Sequence, residues 1–306
     1  EDLCVILDDS ANLVRVTSIS NANSNGWTPH VFKPEMSTDN KGNISSTTSN
    51  EANRAHPHFD IIWRLGSSQS ETNAKANLTL PEAKLWINRE IARKRRPVCI
   101  TPYLGPDQTL LFAFVSKETS QEFSVDLEIR SERFQSVFDQ HVDMKYMPIW
   151  VADYRNGKSD FITAVWIKGS NLWLHRSNTV FPTALLQVKQ FEDEGYSVLR
   201  FSAGNDQGSV RLLMMKVVSE TQLHHSLQKH EVEQLLAQSN QKRPLWIESR
   251  WQLSNGSDLR LYDVVLQNTY EPKDWRVELN ISPDEFDDKQ KVMRRTNYYP
   301  ELLNAR

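Results

Sequence analysis

The sequence predicts an α+β repeat protein: a closed, propeller-like ring of about six β-β-β-α units, with the last unit split between the N- and C-termini. A proline-containing start motif recurs, the same order of elements follows it, and both ends look like parts of one unit. Pro97 and Pro148 are 51 residues apart, and Pro148 and Pro244 are 96 apart, close to two periods. Self-similarity at a fixed period is the signature of repeat architectures.

Each period begins with Tyr or Arg, then Pro or an apolar residue, then a short apolar run, which predicts a first strand. The start segments are RRPVCITPY (95–103), KYMPIWVADY (145–154), GYSVLRFSAG (195–204) and KRPLWIESRW (242–251), with GWTPHVFKP (26–34) before them and NYYPELLNA (297–305) after them.

Two further strands and a helix follow each start. The second strands, rich in β-branched and aromatic residues, are expected at 59–65, 110–117, 161–168, 210–217 and 259–266. The third strands are expected at 76–80, 122–129, 171–177, 221–227 and 275–281. The helices are expected at 81–96, 131–145, 182–195, 229–242 and 283–296, three of them with Pro in the first turn, where its missing N–H costs nothing.

The two ends together supply one more unit. Residues 3–7 and 12–19 match a second and a third strand, and residues 298–305 match a first strand. We therefore expect a single domain, 1–306, with units at about 27–95, 96–145, 146–195, 196–242, 243–297, and 298–306 joined with 1–20. Closure of the ring would remove two open sheet edges. The alternative is that the chain is a segment of a longer repeat array and that its two end units are incomplete repeats. The polar stretch 37–55 is expected to be an inserted surface loop.

Composition excludes several classes of protein. The chain has 36 basic and 39 acidic residues, and this near-neutral charge argues against a nucleic-acid binder. Mean hydropathy is −0.57 and no run approaches 18 apolar residues, so no membrane insertion is expected. Gly is scarce, 10 of 306 residues, and no glycine-rich phosphate-binding motif occurs. We expect no cofactor.

Cysteines and sequons bear on the compartment. Cys4 and Cys99 would fall in units separated by another unit, so they are expected to remain free thiols. Four N-x-[ST] sequons begin at Asn43, Asn77, Asn255 and Asn280, which favours an extracytoplasmic or secreted location.

One copy of the motif carries a family resemblance. Tyr146-Met147-Pro148 followed by Ala164-Val165-Trp166-Ile167-Lys168 resembles the bacterial tandem repeat, found also in the N-terminal half of fungal polyglycine hydrolases. Gly195-Tyr196 matches the usual repeat start, whereas Val198 replaces Pro and Met214-Met215-Lys216 replaces the Trp strand. The resemblance implies a repeat module, often attached to a β-lactamase-like peptidase or a kinase, that is not itself the catalyst.

The repeat register selects the candidate ligand-binding residues. Two positions after each start proline the chain has Val31, Cys99, Trp150, Arg200 and Trp246, which are expected to face the inside of the ring. Arg200, Trp150 and Trp246, together with the off-register and exposed Trp251, are the candidates. The alternative for Arg200 is a salt bridge to an acidic residue.

The other tryptophans recur at equivalent positions of the repeat. Recurrence is what packing requires, so Trp63, Trp150, Trp166, Trp173, Trp246 and Trp275 are expected to be mainly core or inter-repeat contacts.

Catalytic and metal sites are less well supported. Ser226-x-x-Lys229 and Ser239-x-x-Lys242 fit the S-x-x-K pattern of β-lactamase-like serine hydrolases, but Ser239 would lie at a helix C-terminus, the wrong end to activate a nucleophile. His224 and His225 face opposite sides of a strand, so with His230, His56 and His58 they predict no metal site.

The charge run 93–96 is expected to end a helix, with an acidic partner as the alternative. The leading hypothesis for the whole chain is a non-catalytic module for ligand or protein recognition or scaffolding, within a larger multidomain protein. Its ligand would be a protein, a peptide or a glycan, and no catalytic residue is expected. A serine hydrolase or peptidase of the β-lactamase-like type is the alternative.

Overall fold

The computed structural model describes residues 2–7, 13–19, 57–66, 72–169, 173–203, 210–216, 220–239, 241–254, 257–269 and 274–305. Within these residues the chain forms 17 strands and five α-helices, so the predicted mixed α+β class is confirmed. The expected first strand at 26–34 and the expected loop at 37–55 lie outside the described residues.

The strands agree closely with the positions expected from the repeat. Their bounds are β1 Asp2–Leu7, β2 Leu13–Ile19, β3 Phe59–Leu65, β4 Asn73–Leu78, β5 Arg95–Leu104, β6 Leu110–Glu118, β7 Phe123–Arg130, β8 Tyr146–Asn156, β9 Ser159–Lys168, β10 Trp173–Thr179, β11 Ser197–Ala203, β12 Val210–Met215, β13 Thr221–Leu227, β14 Lys242–Ser254, β15 Ser257–Asn268, β16 Trp275–Ile281 and β17 Tyr298–Ala305.

The helices follow the third strand of each period. They are α1 Leu80–Ala92, α2 Phe134–Asp143, α3 Phe181–Asp193, α4 Lys229–Gln238 and α5 Pro283–Arg295, with a short 3-10 helix at Ser131–Arg133 before α2. Capping boxes, in which two backbone N–H groups are satisfied reciprocally, begin α1 at Thr79, α4 at Gln228 and α5 at Ser282. Helix α1 ends at Ala92, so the basic run 93–96 crosses into β5 instead of completing the helix.

Each three-stranded sheet takes its strands from two successive periods. The third strand of one period and the first strand of the next form the two edges, and the next second strand lies between them, antiparallel to both. The sheets built in this way are β4-β6-β5, β7-β9-β8, β10-β12-β11 and β13-β15-β14. The structural unit is therefore β-α-β-β, with the helix joining the two edge strands of one sheet.

The fifth sheet joins distant parts of the chain. Its order is β16-β3-β17, so a strand near the start of the described chain lies between two C-terminal strands. Ile61 is opposite Leu303 and Trp63 is opposite Pro300. Phe59, Ile61, Ile62 and Trp63 are at most 1% exposed, which fits a central strand covered on both faces.

The sixth predicted unit is wrong. Residues 298–306 were expected to pair with residues 1–20, but β17 pairs with β3, while β1 and β2 form a separate two-stranded antiparallel sheet. Sequence spacing shows the order of elements along the chain but not which edge each strand joins. Because β3 already supplies the central strand between β16 and β17, the described residues contain five three-stranded sheets, not six.

A β-bulge recurs in every first strand. The pairing register skips one residue immediately after the start position, and an extra residue of this kind re-aims its neighbours. The skipped residues are Val98, Ile149, Leu199, Leu245 and Glu301, and we call them the bulge residues.

A second irregularity explains two of the sequons. Asn77 and Asn280 occupy equivalent places near the end of a third strand, with φ of 58° and 66°. Asn tolerates this left-handed conformation better than most residues. The backbone N–H of Asn77 donates to Tyr103 Oη at 2.8 Å, and that of Asn280 donates to Asp60 Oδ1 at 3.1 Å.

The core confirms the packing role of the repeated tryptophans. All six are at most 5% exposed; they are Trp63, Trp150, Trp166, Trp173, Trp246 and Trp275. None of the helices in the described part of the chain combines the length and apolar character needed to cross a membrane.

Removal of residues 298–306 tests the fifth sheet. Without β17, backbone amides of β3 lose hydrogen-bond partners, so hydrogen exchange at residues 59–65 should speed up and the free energy of unfolding should fall. Removal of residues 1–20 is the matched control and should leave protection at 59–65 unchanged. The opposite result, protection lost only on removal of 1–20, would contradict this pairing.

A buried histidine should make stability depend on pH. His175 on β10 is 6% exposed and lies 5.7 Å from the ring of Phe138. Burial, then repulsion by Arg211 and Arg200, lowers its pKa to about 3. Below about pH 6.5 the imidazole of His175 binds a proton in the unfolded chain but stays neutral in the folded chain. The free energy of unfolding therefore falls as the pH is lowered toward 3.

The difference should be visible in a His175→Phe variant. Between pH 7 and pH 5 wild-type protein should lose about 2 kcal/mol more unfolding free energy than the variant. Urea titrations at both pH values measure this, and His230→Phe, at an exposed histidine, should behave like wild type. Equal pH dependence in wild type and His175→Phe would show that His175 is not buried as a neutral group.

Candidate functional site

The first strands lie next to one another. Strand β5 contacts β8 and β17, β14 contacts β11 and β17, and Arg200 of β11 contacts Trp150 of β8. Polar side chains join neighbouring strands: Trp150 Nε1 donates to the Ile100 carbonyl at 2.7 Å, and Thr101 Oγ1 donates to the Leu303 carbonyl at 2.6 Å. All five sheets therefore contribute their first strand to one shared contact region.

One cavity lies at the N-terminal ends of these strands. It has a volume of about 690 Å³ and is lined by all five bulge residues. Four of them are apolar, and the fifth is Glu301. Trp150, Arg200, Trp246 and Leu302, each the residue after a bulge, also line the cavity. A bulge brings two consecutive side chains toward the same side of a strand, so the repeated irregularity builds this wall.

Arg200 packs against two tryptophans beside this cavity. Its Cζ atom is 4.1 Å from the ring centroid of Trp150 and 4.2 Å from that of Trp246, and the two centroids are 5.2 Å apart. The arginine is 6% exposed. A desolvated guanidinium over an indole is stabilised by about 2 kcal/mol or more. Arg200 also lines a small polar cavity of about 40 Å³ with Thr101, Ser202 and Glu248.

The strand ends beside this cavity, which we call its mouth, carry cationic residues in some sheets and apolar residues in others. Lys117, Arg64 and Tyr299 line the cavity itself. The cross-strand pairs formed two residues before each bulge residue are Arg96–Lys117, Met147–Ile167, Ser197–Met215, Arg243–Gln267 and Tyr299–Arg64. The cations therefore belong to the three sheets centred on β15, β3 and β6. These sheets are neighbours through their first strands, since β17 contacts both β14 and β5. Arg64 forms ion pairs with Asp274 at 3.2 Å and Glu301 at 3.4 Å.

Lys117 has an unusual electrostatic environment at this mouth. The residue is exposed, but partial desolvation of its ammonium group lowers its pKa. Repulsion by Arg96, Arg64 and Arg243 lowers this pKa further, while Glu301 acts in the opposite direction. Burial also lowers the pKa of Arg96. The mouth thus holds cations that solvent and neighbouring acids compensate incompletely.

Comparison with known proteins identifies one repeat. Residues 127–169 match the family model of the polyglycine hydrolase-like structural repeat. The matched segment runs from β7 through α2 to the end of β9, which is one β-α-β-β unit and forms one sheet. The resemblance is thus confirmed for this segment. No curated protein matches the chain.

The polyglycine hydrolase-like repeat supplies Trp150, and the structure brings three predicted residues together. Trp150, Arg200 and Trp246 meet at the cavity, as the repeat register predicts. Trp251 does not line it: this residue is half-buried instead of exposed, with Arg260 Cζ 5.7 Å from its ring. Val31 lies outside the described residues.

Cys99 belongs to the same set of equivalent positions but is chemically inert. It is fully buried and free, which confirms the expected thiol. Burial raises its pKa to about 12, so the reactive thiolate is scarce at neutral pH. The side chain of Cys4 falls outside the described part of the chain.

The sequence analysis missed the bulge residues and the cationic mouth. The residues beside each start proline carried a usable signal, because the position after it is Val, Ile, Leu, Leu and Glu in the five units. The sequence did not show the bulge itself, which points these side chains toward the cavity.

The two S-x-x-K serines have local partners. Ser226 Oγ accepts a hydrogen bond from Arg250 Nη2 at 2.6 Å, and Ser239 Oγ donates to the Leu235 carbonyl at 2.6 Å. Ser239 is the C-cap of α4, as predicted. The corresponding lysines pair elsewhere, Lys229 with Glu233 at 3.9 Å and Lys242 with Gln222 at 2.7 Å.

Among the described residues, no three His, Cys, Asp or Glu side chains lie close enough together to hold a metal ion. His56 lies outside them. His141 is the histidine with a specific polar partner inside the matched repeat: its Nε2 atom is 3.0 Å from Asp126 Oδ2, and its ring stacks on Trp166 at 4.2 Å. These contacts join α2 to its own sheet and are structural.

Arg200→Lys tests the tryptophan sandwich. A lysine keeps the charge but loses the planar group that covers both indoles, so the free energy of unfolding should fall by about 1–2 kcal/mol. Urea unfolding followed by tryptophan fluorescence measures the change, and Arg133→Lys, at an exposed arginine, should stay within about 0.5 kcal/mol of wild type. Equal losses in both variants would contradict the proposed contact.

Proposed function

We propose that the chain is a non-catalytic recognition module in which the five sheets close a propeller-like ring, with its binding site in the cavity at one end of the axis. The observation that carries the proposal is that equivalent residues from all five sheets line one cavity of about 690 Å³. That volume lies in the usual range for small-ligand sites, about 300–1,000 Å³.

Ring closure is supported by two sets of contacts. Strand β3 pairs with both C-terminal strands, and each first strand contacts two others in the order β5, β8, β11, β14, β17 and back to β5. Closure would leave the sheet edges protected. A rigid ring is also a good platform for a binding site, since its side chains are positioned by packed strands.

The composition of the cavity favours recognition over catalysis. Apolar side chains, among them four bulge residues and two indoles, form most of its wall. The candidate nucleophiles Ser226 and Ser239 are not among its lining residues. Within this proposal the module belongs to a larger, extracytoplasmic or secreted protein and recognises a partner or ligand for it. The matched repeat and the four sequons support that context.

A serine-reactive probe tests the absence of hydrolase chemistry. A fluorophosphonate should leave the mass of the protein unchanged. Ser226 Oγ accepts a hydrogen bond from Arg250 at 2.6 Å, whereas His225 Nδ1 lies at the long distance of 3.4 Å, and Ser239 Oγ donates to a helix carbonyl. Intact mass spectrometry measures the adduct, with a known serine hydrolase as positive control. A stoichiometric adduct on either serine would reverse the proposal.

A neutral solvatochromic naphthalene dye tests the cavity. Wild-type protein should bind about one equivalent with a blue-shifted emission, as expected for an apolar site. Leu199→Trp, which fills the wall at a bulge residue, should abolish binding, whereas Leu186→Trp, at a leucine 71% exposed on α3, should not. Failure of wild type to bind, or equal binding by both variants, would contradict the proposal.

A further inference from the structure

We propose that this cavity takes a ligand with an apolar body and a single carboxylate, and that the carboxylate binds at the Arg96–Lys117 side of the mouth. The inference rests on the proposed function and adds the chemistry of the ligand. Three features support it: cations that acidic groups do not match, a buried guanidinium atom that lacks an acceptor, and apolar walls behind them.

The acids beside the mouth bind cations other than Arg96 and Lys117. Among the described residues, neither Arg96 nor Lys117 has an acidic partner within 4.0 Å. The nearby acids bind other cations: Glu118 lies 3.9 Å from Arg95, while Glu301 and Asp274 both bind Arg64. An incoming carboxylate would therefore meet positive charge that existing ion pairs have not neutralised.

Arg96 has a buried donor and lies opposite the cavity-lining Lys117 in the strand pair. It is 8% exposed, and its Nε atom has no hydrogen-bond partner among the described residues. Leaving such a donor unpaired is destabilising, and more so for a charged group. A carboxylate beside the cross-strand Arg96–Lys117 pair would supply the missing acceptor and form charge-assisted hydrogen bonds, which are stronger than neutral ones.

The remaining wall suits an apolar group. Val98 follows Arg96 by two residues on β5 and lines the cavity, and it is continued by Ile149, Leu199 and Leu245. Trp150 and Trp246 lie beside them. The opposite side of the mouth belongs to the sheets with Met147–Ile167 and Ser197–Met215, so the cationic side is the one that would bind the acidic end.

The same chemistry occurs in two sources: a free aliphatic acid and the C-terminus of an apolar peptide. Both present one carboxylate on an apolar body. The two differ in that the peptide adds backbone amides, so paired probes separate them: octanoate against octanamide, and acetyl-Leu-Leu-Phe with a free against an amidated C-terminus.

Isothermal titration calorimetry with these probes tests the inference. Octanoate should bind wild-type protein at least tenfold more tightly than octanamide, and octyltrimethylammonium should bind more weakly than either. Lys117→Gln should remove most of the tenfold preference, and Lys117→Arg should retain it. Lys168→Gln, at the end of the equivalent second strand where the lysine already pairs with Glu122 at 3.1 Å, is the matched control and should keep it.

The outcomes are separable. A tenfold preference for the free peptide acid, with tighter binding than octanoate, identifies the peptide source; the preference in octanoate alone identifies the free acid. Equal binding of octanoate and octanamide, or a preference that survives Lys117→Gln, would overturn the inference. If the neutral naphthalene dye still binds in that case, the proposed function stands; if no probe binds, both fail.

Discussion

The architecture depends on one long-range pairing, the insertion of β3 between β16 and β17. The other four three-stranded sheets are built from contiguous chain, each with a helix that joins its two edge strands. The fifth sheet alone, among those described, requires segments more than 200 residues apart to meet. A strand such as β3, buried on both faces, is stable only when both edges and both faces are covered. Its pairing therefore ties residues 59–65 to the two C-terminal strands.

The candidate site follows from the same arrangement. Once β17 occupies its place beside β5 and β14, Glu301 and Leu302 complete a wall to which the other four first strands contribute Val98, Ile149, Leu199 and Leu245. Sequence divergence among equivalent positions then gives the site its chemistry. The position two residues before the bulge residue is Arg in two units. The position directly after the bulge residue is Arg in one unit, where it packs on two tryptophans.

Local features were predictable from the sequence, and long-range ones were not. β3, β13 and β16 begin and end where the apolar and β-branched runs predict, and Pro283 begins α5 as expected. Trp150, Arg200 and Trp246 were selected because they recur at one register position, and they do meet. Pairing of residues 298–306 with 1–20 was wrong because spacing does not encode which strands become neighbours. The cation cluster of Arg64, Lys117 and Arg96 was missed because its members occupy different strands and meet only through cross-strand pairing.

Cross-linking of β3 to β17 tests the central pairing most directly. Leu65 and Tyr298 are opposite residues, and opposite residues in an antiparallel pair bring their Cα atoms to a distance that a disulfide can bridge. In a Leu65→Cys, Tyr298→Cys double variant, native Cys4 is a built-in competitor from the N-terminal hairpin. Mild oxidation and peptide mapping should find the bridge between positions 65 and 298. A bridge between positions 4 and 298 instead would show that the C-terminal strand joins the N-terminal hairpin, and would contradict the account.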